Sequence, residues 1–97
     1  MSTLAAEFEF DWDEGNVGHL SRHGVEPREF EEVILGGPLN LDYQTETGED
    51  RGKSLGATPA GRVLIAIWAV RQSKIRAITA YPANRRYRDL YRKLQGA

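Results

Sequence analysis

His23 is the natural acid–base group of this chain, because an imidazole changes protonation near neutral pH. It directly precedes Gly24 at an expected helix end, where an imidazolium also interacts with the last carbonyls, so a capping role competes with a chemical one. His19 lies one helical turn earlier and is expected to face solvent. Arg51, Arg62, Arg76, Arg85, Arg86 and Arg88 offer fixed cationic forks suited to phosphate. Each alone also fits pairing with an acid or plain solubility, and only the cluster argues for function. Tyr81, Tyr87 and Tyr91 can stack a nucleobase or protonate a leaving group. Tyr87 and Tyr91, four residues apart, also fit a core-facing stripe, whereas Tyr81 stands at a strand end beside a basic helix. Asp13 is either a helix cap or an orienter for a nearby Arg or His. There is no HExxH pair, EF-hand loop or Walker loop and no cysteine, so no metal site and no cofactor is expected.

The charge is unevenly placed. Residues 1–50 hold thirteen acids against Arg22 and Arg28, and residues 51–97 hold eleven Lys or Arg against Asp89. A basic face that meets a polyanion would produce this split, and so would an acidic half folded against a basic half. At 97 residues the chain suits one domain, residues 1–97, with a small margin of stability. The lack of cysteine fits a reducing cytoplasm, and the first nine residues show no signal-peptide pattern. The longest apolar run, residues 63–70, is too short to cross a bilayer and has the length of a buried strand, so no membrane partner is expected.

These groups need elements to hold them. Phe8, Phe10 and Trp12 alternate with acids as in a half-buried strand. Asp13 then caps a short helix that stops at Gly24. Pro27 opens a second helix, whose Phe30, Val33 and Ile34 form one stripe and which ends at Gly36-Gly37-Pro38. The period then changes to two. Leu39, Leu41 and Tyr43 alternate with polar residues, residues 47–50 read as a turn, and 51–57 as a weaker strand. Thr58-Pro59-Ala60-Gly61 reverses the chain into the apolar run 63–70, which is expected to be the central strand. Arg71-Gln72-Ser73 leads into a strand over 74–81. Asn84 caps a last helix with Tyr87, Leu90, Tyr91 and Leu94 on one stripe. Trp12 and Trp68 are read as core. The fold class is therefore α+β, an antiparallel sheet of about four strands with two N-terminal helices and one C-terminal helix.

Several of these pieces, in order, resemble the BrnT family of bacterial ribonuclease toxins. They are Phe10-Asp11-Trp12-Asp13, Arg22-His23-Gly24-Val25, the Glu-rich helix from Pro27, Glu49-Asp50-Arg51 with Leu55-Gly56, Gly61-Arg62, the strand Arg76-Ala77-Ile78-Thr79-Ala80, and Pro82-Ala83-Asn84-Arg85-Arg86 leading to Tyr91. The resemblance implies a RelE-like fold, an endoribonuclease acting on RNA in the cytoplasm, and inhibition by a small antitoxin of ribbon-helix-helix type. It also implies that operator DNA is bound only through that antitoxin. Two positions depart from the family pattern: Tyr81 stands where an Arg is usual, and Tyr87 where Glu is frequent.

RNA cleavage without a metal needs a base for the 2′-hydroxyl, cations for the phosphorane and an acid for the leaving oxygen. Arg51 and Arg76, expected on neighbouring strands, would converge on the scissile phosphate with Arg85 or Arg86 at the start of the last helix. Tyr81 would stack a base or donate a proton. His23 would serve as base if the first turn folds back to this junction. Arg62 and Arg88 would hold RNA nearby. Two other functions compete: a catalytically silent protein that binds only an antitoxin-like partner, and a nucleic-acid-binding module without chemistry. The last lacks a helix-turn-helix or RNP signature.

Overall fold

The apolar run beginning at Val63 can be satisfied only by cover on both faces, and the architecture follows from that. In the computed structural model, which describes residues 9–46 and 48–95, the chain forms β1 (Phe10–Asp11), α1 (Glu14–Arg22), α2 (Pro27–Leu35), β2 (Leu39–Glu46), β3 (Glu49–Ala57), β4 (Val63–Arg71), β5 (Lys74–Pro82) and α3 (Arg85–Leu94). The strands make one sheet in the order β1-β5-β4-β3-β2, with β4 at its centre as expected. Alternate β4 residues feed two cores. Leu64 and Ala66 join Leu20, Val25, Phe30 and Val33 of the α1–α2 layer. Val63 and Ile65 join Leu55 and Ala83, with Tyr87 and Tyr91 of α3 packed on them. Among the described residues no helix is long and apolar enough to cross a membrane.

The sheet corrects two expectations. It has five strands rather than about four, and it is mixed rather than antiparallel. Phe10 and Asp11 pair parallel to Ile75 and Arg76 at the edge of β5. The alternation around Phe10 marks a strand but not what it pairs with, so only the tertiary structure reveals its partner. Phe8 and Thr47, expected in the first strand and in the β2–β3 turn, lie outside the described residues, as do residues 1–7 and 96–97. The β2–β3 turn is tighter than expected, because Glu49 and Asp50 already belong to β3.

Local signals set the helix ends. The Asp13 carboxylate accepts from the Asn16 amide at 2.9 Å, and the Asn16 side chain accepts from Asp13 N–H at 2.8 Å, closing a capping box on α1. At the other end Gly24 takes φ +71°. Its N–H donates to the Ser21 carbonyl, and the Val25 N–H donates to that of Leu20 at 3.0 Å. This is a Schellman ending, and the accompanying contact between Val25 and Leu20 buries both in the core.

In β2 the expected alternation of Leu39, Leu41 and Tyr43 is broken by a bulge between Asn40 and Asp42. Leu39 and Leu41 stay with the α3-side core, whereas Tyr43 crosses to the other face and meets Trp68, ring to ring at 6.0 Å. Trp68 lies flat over Gly52, where any Cβ would collide with its ring, and its indole N–H donates to Ser54 Oγ at 2.9 Å.

Candidate functional site

Residues paired directly across antiparallel strands share a face, so the register defines rows on the α3 side of the sheet. One row is Arg51, Ala69 and Arg76, the next Lys53, Ile67 and Thr79, and the next Leu55, Ile65 and Tyr81. α3 covers the last of these. The β4–β5 register shifts at Ile67/Trp68, leaving Ile78 as an extra residue in β5. Arg76 and Tyr81 are five apart, so without that bulge they would point to opposite faces.

The register also separates groups that were expected together. Arg51 and Arg76 are not on neighbouring strands; β4 lies between them, so their Cα atoms are about 10 Å apart at the usual strand spacing. Four residues of β4, about 13 Å of strand, divide their row from that of Tyr81. Arg76 is bracketed by carboxylates, with Nη2 at 2.7 Å from Asp13 and Nη1 at 3.5 Å from Asp11. Arg51 is exposed, 3.7 Å from Glu49. Arg62 donates through Nη1 to both oxygens of Glu29, at 2.8 and 2.9 Å. Its other nitrogen lies close to Gly24, so Arg62 ties the β3–β4 turn to the α1–α2 connection.

A second group gathers where β5 passes into α3. α1 packs along β5, and the turn at Gly24 leaves the His23 ring 6.0 Å from that of Tyr81. The condition set for His23 is thus met: the first turn does fold back to the junction. His23 is also the C-cap residue of α1, but the capping bond to the Leu20 carbonyl, at 2.9 Å, is made by its main chain and leaves the imidazole exposed. Three residues after Tyr81, Asn84 caps α3 by accepting from the Tyr87 amide at 3.0 Å, and Arg88 donates to the Ala83 carbonyl at 2.8 Å.

Internal pairing accounts for part of the charge split. The basic residues of the sheet region pair with acids: Arg62 with Glu29, Lys74 with Glu9, Arg71 with Glu49, Arg76 with Asp11 and Asp13. α3 does not share in this. It carries Arg85, Arg86, Arg88, Arg92 and Lys93 against Asp89 alone, and among the described residues its one ion pair is internal, Arg85 to Asp89 at 3.9 Å. The apolar stripe of α3 is only half used. Tyr87 and Tyr91 pack on the core, while Leu90 and Leu94 remain exposed.

Sequence reasoning missed three parts of this surface. His19, expected simply to face solvent, stands 5.6 Å from His23 and lines a small hollow with Arg76 and Ile78. Its spacing of four from His23 on a helix was the available signal. Lys53 lies over the Tyr87 ring, 5.8 Å from its centre. Lys93 extends the unpaired charge of α3.

The ion pairs have a pH signature. Asp13 titrates below its ordinary 3.8, held down by the Asn16 amide first and then by Arg76. For Glu29 burial acts upward, but the Glu26 amide and Arg62 together outweigh it, and the group titrates below its ordinary 4.5. Because the folded values are the lower ones, this stabilisation is complete above the ordinary values and is lost as pH falls through the depressed ones. Urea midpoints should therefore drop on acidification from about pH 5 to about pH 3, and Asp13→Asn should flatten the drop.

A family model described as ribonuclease toxin, BrnT, of type II toxin-antitoxin system matches residues 12–86. No curated protein matches the chain.

Proposed function

The chain belongs to the BrnT family of ribonuclease toxins of type II toxin–antitoxin systems, and from that premise we propose that it is an endoribonuclease that cuts RNA without a metal and is silenced by a small antitoxin. The observation that carries this reading is the approach of His23 to Tyr81, 6.0 Å between rings, at the strand end that leads into α3 with its excess of cations. RNA lies across α3, where five cations face one acid. The first amides of α3 and the side chains of Arg85 and Arg86 hold the RNA backbone on the Tyr81 side of the cut. His23 takes the proton of the 2′-hydroxyl. The 2′-oxygen bonds to phosphorus, the bond to the 5′-oxygen breaks, and that oxygen leaves with a proton from an acid of the site. The products are a 2′,3′-cyclic phosphate and a 5′-hydroxyl.

Tyr81 stacks a base at His23 or is itself the acid. Arg62 and Arg88 steady the junction from two sides and add positive field for RNA. Arg51 takes a phosphate further along the open sheet face. Arg76 meets the phosphate only by leaving two carboxylates, so its role in this reading is to hold Asp13, and with it α1, against β5. The antitoxin, of ribbon-helix-helix type, covers the α3 cations with an acidic segment and carries the pair to operator DNA. The RelE-like relation and a cytoplasmic setting belong to the same reading.

Purified protein with total RNA in EDTA tests it. Cleavage is expected, and Arg85→Ala with Arg86→Ala should reduce it at least tenfold, on the order of the loss of one charged phosphate contact. A wild type that cuts no RNA, with or without ribosomes, would hand the case to the silent partner-binding protein that the tyrosines at 81 and 87 also suit.

A further inference from the structure

The proposed reaction needs an acid as well as a base, and the site holds a second imidazole for which it has no use so far. We propose that His19 is a further catalytic residue, the general acid that protonates the leaving 5′-oxygen; this rests on the ribonuclease reading above and names its missing group.

Three rings stand in sequence at the β5 edge. Tyr81 is 6.0 Å from His23, and His23 is 5.6 Å from His19. The 5.6 Å separates ring centres, and ring nitrogens turned toward the same point lie closer to it, so both imidazoles can reach one phosphoryl group. The order also matches the substrate. A nucleobase stacked on Tyr81 puts its own ribose 2′-hydroxyl toward His23, the phosphate follows, and the next nucleotide's 5′-oxygen falls toward His19. The hollow that His19 shares with Gly15, Asn16, Arg76, Ala77 and Ile78 lies on that far side.

The helix that carries both imidazoles is firmly held. Leu20 and Asn16 are buried beneath it, the Asn16 side-chain amide donates to the Asp11 carbonyl at 2.8 Å, and Asp13 is clamped by Arg76. His19 itself is exposed, so it anchors nothing that the fold requires. In the step, imidazolium Nε–H gives its proton to the 5′-oxygen as the P–O5′ bond breaks, and His23 keeps the proton taken from the 2′-hydroxyl. Solvent later exchanges both, so charge and protons balance over a turnover.

The test uses two substrates that differ only in the leaving group. One is a short RNA oligonucleotide, whose 5′-alkoxide needs protonation. The other is uridine 3′-(4-nitrophenyl phosphate), whose nitrophenolate leaves without it. His19→Ala should slow cleavage of the RNA by about a hundredfold or more and that of the nitrophenyl ester by only a few-fold, and His19→Asn should do the same. His23→Ala should slow both. Equal RNA cleavage by wild type and His19→Ala overturns the proposal, as does a His19 loss that is the same on both substrates. If instead Tyr81→Phe shows the leaving-group-dependent loss, Tyr81 is the acid and the proposal falls. A wild type that cleaves neither substrate overturns the ribonuclease reading itself, and the assignment of His19 with it.

Discussion

Replacing His23 with alanine should lower RNA cleavage by about a hundred- to ten-thousandfold, the usual contribution of a positioned proton acceptor, while the protein stays folded. The two effects separate because the two roles of the residue use different atoms. The capping bond to Leu20 is made by the His23 main chain and survives the substitution. What the fold loses is at most the attraction of an imidazolium for the end of α1, about 1 kcal/mol for an exposed group. What the reaction loses is its base, at least about 2.7 kcal/mol of barrier for a hundredfold change. Single-turnover cleavage of a defined RNA, with a urea titration of the same variant, measures both. Unchanged cleavage beside reduced stability would make His23 a cap and nothing more.

The largest loss of stability should follow Phe30→Ala, about 3–5 kcal/mol. Phe30 is fully buried and meets two rings edge-on, Phe10 at 6.3 Å and Trp12 at 5.6 Å. Removing it takes away a whole aromatic side chain and both of these contacts, and α2 cannot close over the space because Val33 and Val25 already fill its flanks. Domains of this size hold roughly 5–15 kcal/mol in all, so much of the margin would go. The loss would reach function as well. Phe30 secures β1 and Trp12, and these lead straight into the cap of α1, which carries both histidines. Urea unfolding checks the figure, with Phe30→Leu as a milder control. A loss under about 1 kcal/mol would mean that the α1–α2 layer is less tightly packed than it stands here.

Much of this molecule was legible before folding. The apolar run from Val63 announced a strand covered on both faces, and it is the centre of the sheet. Asp13, Gly24, Pro27 and Asn84 each marked a helix boundary by chemistry local to a few residues, and each occupies the position expected. What escaped depends on partners far away in sequence. The two residues of β1 join the sheet only because β5 leaves an edge open to them. The bulges at Leu41 and Ile78 reset the alternation, and a reading that assumes a strict period of two places Tyr43 and Arg76 on the wrong faces.

The site divides in the same way. Residue types pointed to His23, Tyr81 and the arginines, but their grouping required the path of α1 along β5. That path brings His23 to Tyr81 and turns Arg76 toward Asp13. The pairing of His19 with His23, by contrast, is local and follows from their spacing of four.

The chemistry of the cut ends tests the central claim most directly. A defined RNA is incubated with the protein in EDTA, and the termini of the fragments are identified. Proton transfer by His23 with in-line displacement by the 2′-oxygen predicts 2′,3′-cyclic phosphate and 5′-hydroxyl ends, formed without metal and lost in His23→Ala. Cleavage that appears only when a divalent metal is restored, leaving 5′-phosphate and 3′-hydroxyl ends, would contradict it.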